Sequence, residues 1–353
     1  MTPAWQAAVA RASRPRSPGR HRSVVVIAAV IVSIALLAVV SLGVGEYPIS
    51  PGRVVATLLG GGDPREALVV RRLRLPRTSL ALVAGAALAV AGAVTQTMAR
   101  NALASPDLLG VTAGAGAGAV AAIVLGGAGG EAIEGLLSLG TPVSALAGGL
   151  LAAAVVGVLL RAGGGRGLRP VLLGVAVSAF FSSLTSWMLI EASLDDVERA
   201  TAWLTGSLSG RGWTEVLIVS ITLAAASAIL VPVARGLAAL QLGPDMARAL
   251  GTPIPLTIGT LLGASVLLTS ITVSAVGPIG FVALVAPHLA SLASRAPRPP
   301  LIVSGLFGAL ILLASDLAAR TVIPTFTVPT GAVTALVGAP FLVWLLVRST
   351  GTP

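Results

Sequence analysis

The chain contains no cysteine and no lysine; all 23 of its basic residues are arginine. Without cysteine there are no disulfides, thiolate metal sites or cysteine nucleophiles. Without lysine there is no conventional P-loop, whose lysine reaches the nucleotide phosphates. If ATP drives this protein, another polypeptide binds it. Only two histidines occur, His21 and His288, so one chain cannot assemble a histidine metal cluster. Aromatics make up 3% and charged residues 10%. Soluble domains carry about 25% charged residues, so water is not the main solvent.

What is present is apolar and small. Hydrophobic residues make up 55% of the 353, glycines number 42, and mean hydropathy is +0.96. A chain this apolar requires lipid as solvent. Its glycines fit helices packed backbone to backbone. The net charge of +10 fits a solvated basic face on a polytopic protein rather than nucleic-acid binding.

Crossing the hydrocarbon core takes about 20 apolar residues. Ten runs qualify, at 24–44, 78–98, 107–126, 142–160, 170–190, 213–233, 254–272, 277–294, 301–317 and 331–347. The expected fold is therefore all-α and polytopic, with about ten transmembrane helices. Residues 1–23 read as a disordered basic tail, 24–348 as the membrane domain and 349–353 as a C-terminal tail. The run from Val24 is too long for a signal-peptide core. With the N-terminus inside, the inner segments hold fourteen arginines and two acids, Asp107 and Asp245, for a net +12. The outer segments hold nine arginines and eleven acids, for a net −2. This asymmetry places both termini in the cytoplasm.

Several short patterns punctuate the spans. Arg74 and Arg77 bracket Pro76 at the start of the second span, which places two guanidiniums at the outer surface. Six of the nine outer arginines lie between Arg53 and Arg77. A solvated amphipathic segment and a cationic surface facing a partner both fit them. Asp316 and Arg320 are four apart and can pair on a helix. Asn101–Gly110 forms a polar turn, with Asp107 near the next helix start. Gly110, Gly114 and Gly118 recur every four residues, which places them on one helix face for close approach. A translocation wall is the alternative use of that face. Leu242-Gly243-Pro244-Asp245-Met246-Ala247-Arg248-Ala249-Leu250-Gly251 reads as a short inner helix that starts near Pro244 and ends at Gly251. Gly277-Pro278-Ile279-Gly280-Phe281 breaks the chain between spans. Pro287 and His288 follow, and His288 reads as a hydrogen-bonded packing or gating residue. Asp195, Asp196 and Glu198 sit in an outer loop whose spacing fits no cation-binding loop. Trp203 and Trp213 in that loop read as interfacial anchors.

These patterns, in this order, resemble the permease subunits of type II ABC importers for ferric siderophores, haem and vitamin B12. The resemblance covers residues 24–348 and carries several implications. Arg74, Arg77 and Arg320 would dock an extracytoplasmic substrate-binding protein. Leu242, Gly243, Ala247, Arg248, Leu250 and Gly251 would form the coupling helix that enters a cleft on a separate ATPase subunit. Gly277, Pro278, Gly280, Phe281, Pro287 and His288 would serve gating and packing, as would Gly110, Gly114 and Gly118. A short gating helix would lie in the outer loop between 191 and 215. The fifth and tenth spans would border the pore against a second permease subunit, either identical or a paralogue. Ala102 replaces the family's usual proline, which loosens that turn. Neither a catalytic residue nor a metal or cofactor is implied. Ferric siderophore is the first expected cargo, followed by vitamin B12 and haem. An ion-coupled secondary transporter is the alternative of another class. It is disfavoured because nearly every charge maps to a loop or span end.

Overall fold

The computed structural model describes residues 18–127, 140–163, 169–240, 242–322 and 328–349. Each of the ten apolar runs is helical: α1 (Pro18–Gly43), α4 (Leu75–Ala99), α5 (Val111–Gly127), α6 (Thr141–Gly163), α7 (Arg169–Glu191), α9 (Trp213–Leu240), α11 (Ile254–Val276), α12 (Val282–Ser294), α13 (Leu301–Thr321) and α14 (Thr330–Ser349). Short helices α2 (Pro51–Leu58), α3 (Pro64–Ala67), α8 (Leu194–Leu204) and α10 (Pro244–Ala249) lie between them. Seven helices are long and apolar enough to cross a membrane; α5, α12 and α14 are shorter apolar helices. The first helix starts at Pro18, inside the stretch expected to be tail, while residues 1–17 and 350–353 lie outside the described residues.

Burial ranks the helices. The apolar window of the segment ending in α4 is 78% enclosed, whereas that of α1 is 6% enclosed, so α4 is central and α1 peripheral. α4 packs against α9, α11, α12 and α13, and a second group, α5 to α8, meets it through α6 against α11.

Missing side chains set the spacing. Gly85 of α4 faces Gly308 of α13 so closely that a Cβ on either would strike the other's carbonyl. A Cβ on Gly92 would strike the Ala283 carbonyl of α12. Gly114 and Gly118 of α5 meet Gly148 and Ser144 of α6 in the same way. These contacts trade side-chain volume for backbone approach, the usual device where apolar helices gain little from leaving lipid. Gly114 and Gly118 thus lie against α6. Gly110 does not share their face. It is a left-handed residue (φ 72°) that closes the 3-10 turn Pro106–Leu109 ahead of α5, beside Val177 and Ser178 of α7.

Several hydroxyls inside the bundle are paired. Thr95 Oγ1 and Ser265 Oγ lie 2.9 Å apart between α4 and α11, and both lie within hydrogen-bond distance of the Ala91 carbonyl, so one hydroxyl donates to the other while the other donates to Ala91 O. Thr269 and Thr272 bond carbonyls four residues back. Hydroxyls satisfied this way are tolerated in a membrane helix.

α12 covers only part of the expected eighth span. Its 13 residues reach about 20 Å, short of a hydrocarbon core of about 30 Å. Gly277–Phe281 supplies the rest as non-helical chain. Such backbone must be enclosed by protein. Here Gly277 N donates to Val273 O at 2.8 Å, and neighbouring Val276 O accepts from Ser207 N at 2.9 Å.

Candidate functional site

Most of the charged residues singled out in the sequence lie at the two ends of the bundle. At one end, the chain enters α4 through a π-helical stretch, Leu68–Arg74. The wider π turn places Arg71 and Arg74 over neighbouring carbonyls. Arg71 donates to Thr57 O, while Arg74 Nη1 donates to Leu42 O at 2.8 Å and its Nη2 to Tyr47 O at 2.7 Å. Arg74 thereby caps the end of α1, where a cation also meets the helix dipole favourably.

One turn on, Arg77 grips Asp316 of α13. Its Nη2 and Nε donate to Asp316 Oδ1 at 2.9 and 3.0 Å. Arg320 Nε lies 3.3 Å from Asp316 Oδ2, so the expected pair four residues apart forms. Thr330 Oγ1 of α14 donates to Asp316 Oδ1 at 3.2 Å, and Arg320 Nη2 donates to Ser41 Oγ of α1 at 2.6 Å. Asp316 is 0% exposed, with Arg77 at 16% and Arg320 at 11%. At this end Arg77 and Arg320 are therefore largely enclosed by their partners. These arginines tie α1, α4, α13 and α14 together, and one carboxylate neutralises one of three charges. Local spacing revealed the Asp316–Arg320 pair. It did not reveal Arg77, whose partner is 239 residues away.

The neighbouring segment also differs from expectation. Glu66, read as part of a solvated stretch, is buried and pairs with Arg53 at 3.0 Å. Arg53, Arg65, Arg71 and Arg72 are all exposed here, Arg53 and Arg71 being engaged with Glu66 and with Thr57 O.

α8 lies at this same end. Ser193 caps it, accepting from Asp196 N at 3.3 Å and donating to the Asp196 carboxylate at 2.7 Å. Asp195 and Asp196 fill the first turn, where the dipole favours acids. The acidic group is thus explained by helix capping. The other end of α8 is locked by three glycines. A Cβ on Gly206 would strike Pro278 O, one on Gly277 would meet Trp203 O, and one on Gly331 would strike Thr205 O. Gly331 N donates to Gly206 O at 3.0 Å. α8, the Gly277–Phe281 segment and the start of α14 therefore touch through backbone alone. Trp203 packs on Ala115, Ala119, Ala145 and Val273 rather than anchoring at an interface; Trp213 is exposed, as an anchor would be.

Phe281 adopts a left-handed backbone (φ 66°), which is uncommon for a bulky residue and costs about 1–3 kcal/mol. Its ring covers Gly338 of α14, where a Cβ would strike it. Gly280 has open space around it. Pro287 is buried within α12. His288 makes no hydrogen bond among the described residues. Its ring instead stands edge-on to Phe341 of α14, with centroids 5.8 Å apart.

The opposite end carries α10. Gly243 (φ 110°) and Gly251 (φ 73°) frame it, and Thr252 N returns to Ala247 O at 2.9 Å. Leu242, Met246 and Leu250, four apart, are 60%, 52% and 61% exposed, while Ala247 is 0% exposed and faces its own chain. Arg248 and Asp245 form an exposed pair at 2.7 Å, worth little to stability. The α4–α5 turn lies at this end too. Asn101 Oδ1 accepts from Leu103 N at 2.9 Å, which holds the turn without the missing proline. Asp107 accepts from the Thr112 hydroxyl; enclosure pushes its carboxyl above the usual range, and that hydrogen bond opposes the shift.

The FecCD transport family model matches residues 24–348. The chain is 38% identical over 320 residues to the Fe(3+) dicitrate transport system permease protein FecD of Escherichia coli (strain K12), covering 90% of this chain and 97% of that one. It is 35% identical over 307 residues to the ferric enterobactin transport system permease protein FepG of the same organism, covering 86% and 90%. Among solved structures, an inward-facing conformation of a metal-chelate type ABC transporter superposes with a TM-score of 0.78 at 29% identity, covering 91% of this chain and 98% of that one. With the family match spanning ten apolar helices and relatives aligned nearly end to end, the chain belongs to the FecCD transport family, as a membrane permease.

Proposed function

We propose that this chain is a permease subunit of an ATP-driven importer in the cytoplasmic membrane, with ferric siderophore complexes as its cargo. The α8 end faces outward and the α10 end faces the cytoplasm, with both chain termini. The observation that carries the reading is the polarity of the two ends. One end presents unbalanced arginines; the other presents an exposed apolar row on a helix too short to span.

The apolar side chains of Leu242, Met246 and Leu250 are each more than half exposed and fit insertion into a cleft on an ATPase subunit. Gly243 and Gly251 set the angle of α10, and Ala247 seats it. Arg74, Arg77 and Arg320 make this patch of the outward face locally positive beside the exposed Arg65 and Arg72, although the outer segments together carry −2, and the patch attracts the acidic surface of a substrate-binding protein. Such fields act mainly on association rate and orientation. α7 and α14 expose Val175, Phe180, Trp187, Leu336, Val337 and Val343, which fits contact with a second permease subunit and with lipid. Binding-protein engagement would move α8, and the backbone contacts at Gly206, Gly277 and Gly331 would pass that movement to α14. The cargo assignment rests on the names of the relatives, which specify ferric dicitrate and ferric enterobactin.

Uptake by the reconstituted complex tests the cargo. Labelled ferric siderophore should accumulate with ATP, and cobalamin or haem should not. Accumulation of cobalamin or haem instead would replace the cargo assignment within the same family.

A further inference from the structure

The segment between α1 and α4 leaves an apolar surface open. α2 packs on the end of α1, on α3 and on the π-helical stretch. Val54 holds it there, in a small buried cluster with Leu42, Ile49 and Val70. Val54 and Thr57 are the buried residues of α2, but its apolar arc extends past them. Val55, Leu58 and Leu59 lie side by side on the rest of that arc, at 44%, 38% and 84% exposure. The protein thus uses only part of the apolar face of this helix. We propose that α2 lies in the interface of the adjoining lipid leaflet, with Tyr47, Val55, Leu58 and Leu59 at the boundary of acyl chains and headgroups and with Arg53 and Arg71 at the phosphates.

Three observations select lipid as the occupant. The first is continuity with a lipid-facing surface. α1 is peripheral, and Val25, Val32, Leu36 and Val40 are exposed on it at spacings of seven and four, which places them on one face. That stripe continues into exposed Val44, whose N–H donates to Val40 O at 2.9 Å. The cluster with Leu42 seats α2 against the last turn of α1, so both apolar surfaces belong to one edge of the bundle. The second observation is charge placement. Arg53, in the first turn of α2, pairs through Nε with Glu66 at 3.0 Å. Arg71 donates through Nε and Nη2 to Thr57 O, near the last turn, at 3.1 and 2.6 Å. Both arginines are exposed and keep further N–H donors, so two fixed guanidiniums flank the leucines. An interfacial helix places its cations level with phosphates in this way, and the guanidinium fork matches phosphate oxygens. The third observation is residue type. Tyr47, the single tyrosine of the chain, stands exposed between α1 and α2, and tyrosine favours the headgroup level.

The anchor has a structural consequence. Val70 belongs to the π-helical stretch that leads into α4, and it shares the buried cluster with Val54. The leaflet therefore bears on the entry to the most enclosed helix of the bundle. The anchor also gives a reason for arginines to gather at this end against the positive-inside trend. That the leaflet is the outer one rests on the orientation proposed above; contact with lipid does not, and neither depends on transport.

The test uses the full chain in phospholipid nanodiscs. Because the sequence lacks cysteine, Val55→Cys, Leu59→Cys and Ala56→Cys each carry one nitroxide label at an exposed position. Ala56 lies off the apolar arc, and Leu36→Cys on α1 marks the acyl region. The reading is the ratio of collisions with oxygen, which dissolves in lipid, to collisions with a water-soluble nickel chelate. Labels at positions 55 and 59 should give a ratio about threefold or more above that at position 56. Ratios at 55 and 59 that match position 56 overturn the proposal, because the apolar arc then faces water. Arg71→Gln should lower the ratio at position 59 about twofold, whereas Arg71→Lys should keep it, since lysine still meets phosphate although it cannot grip Thr57 O with a fork. If Arg71→Lys acts as Arg71→Gln does, or if neither changes the ratio, the phosphate contact is overturned. Sidedness is read separately in spheroplasts with the chelate outside. Broadening of the position 56 label supports the outer leaflet; its absence overturns the orientation and leaves the lipid contact standing.

Discussion

Asp316→Ala should be among the most damaging single substitutions in this protein. Asp316 is completely enclosed and accepts from Arg77, Arg320 and Thr330. Truncation leaves two guanidiniums at 16% and 11% exposure with no countercharge. Removing one partner of a buried ion pair costs about 3–5 kcal/mol. The residual exposure of both arginines lowers this to about 2–4 kcal/mol, because water screens part of the field. Asp316→Asn keeps one acceptor and should lie between Ala and wild type. Arg77→Met with Asp316→Leu leaves only Arg320 without a countercharge and should recover part of the loss, as apolar replacements of buried pairs do. Surviving monodisperse protein after heating, followed by size-exclusion chromatography, ranks the four proteins. With Arg77→Met and Asp316→Leu also made singly, the double-mutant cycle should return a coupling of about 1–3 kcal/mol between Arg77 and Asp316. Additive single substitutions, or an Asp316→Ala protein as stable as wild type, would refute the network as the tie between α4 and α13.

The remaining predictions address the other contacts. Ala247→Leu should destabilise the α10 connection itself, whereas Met246→Asp with Leu250→Asp should leave thermal stability unchanged and abolish co-purification of the ATPase subunit. Gly338→Ala forces a Cβ into the Phe281 ring at a cost of about 1–3 kcal/mol, measured as lost thermal stability, and Phe281→Gly in the same background should restore it. Asp107 has its carboxyl raised by enclosure, so the folded state disfavours its ionised form. The resulting relative stability is full below the unfolded value of about 4 and is lost as pH rises through the folded value. Asp107→Asn should therefore equal or exceed wild type in stability at pH 7, with the difference vanishing below about pH 4 in a pH series of melting curves. Arg72→Glu should slow association of the binding protein without loss of stability, and the effect should shrink at high salt, in a stopped-flow measurement.

The sequence reveals the helices well and their partners poorly. Ten apolar runs predict ten helices because lipid forces every backbone group into internal hydrogen bonds, which leaves few alternatives. Helix punctuation is equally local: Gly251 ends α10 because its φ is positive, and Pro244 starts it. What escapes is pairing across long separation. Gly85, Gly92 and Gly308 look like any other small residues until α4, α12 and α13 are brought together. Gly110 fits a four-residue repeat by spacing, yet a left-handed turn removes it from the helix that follows. Trp203 reads as an interfacial residue by type, and its burial depends on α5, α6 and α11 meeting above it. The arginines proposed to dock a partner show the same limit. Their motif gives their end of the bundle, but only tertiary structure shows that Arg77 and Arg320 share one carboxylate.

The central claim is a permease whose work is done by ATP on a separate subunit, delivered through α10. Its most direct test is ATP-driven accumulation of labelled ferric siderophore in proteoliposomes holding the complex, for wild type and for Met246→Asp with Leu250→Asp. The account predicts ATP-dependent accumulation by wild type, and none by the variant although it still binds the substrate-binding protein. Accumulation driven by a proton or sodium gradient without ATP, or undiminished uptake by the variant, would contradict it.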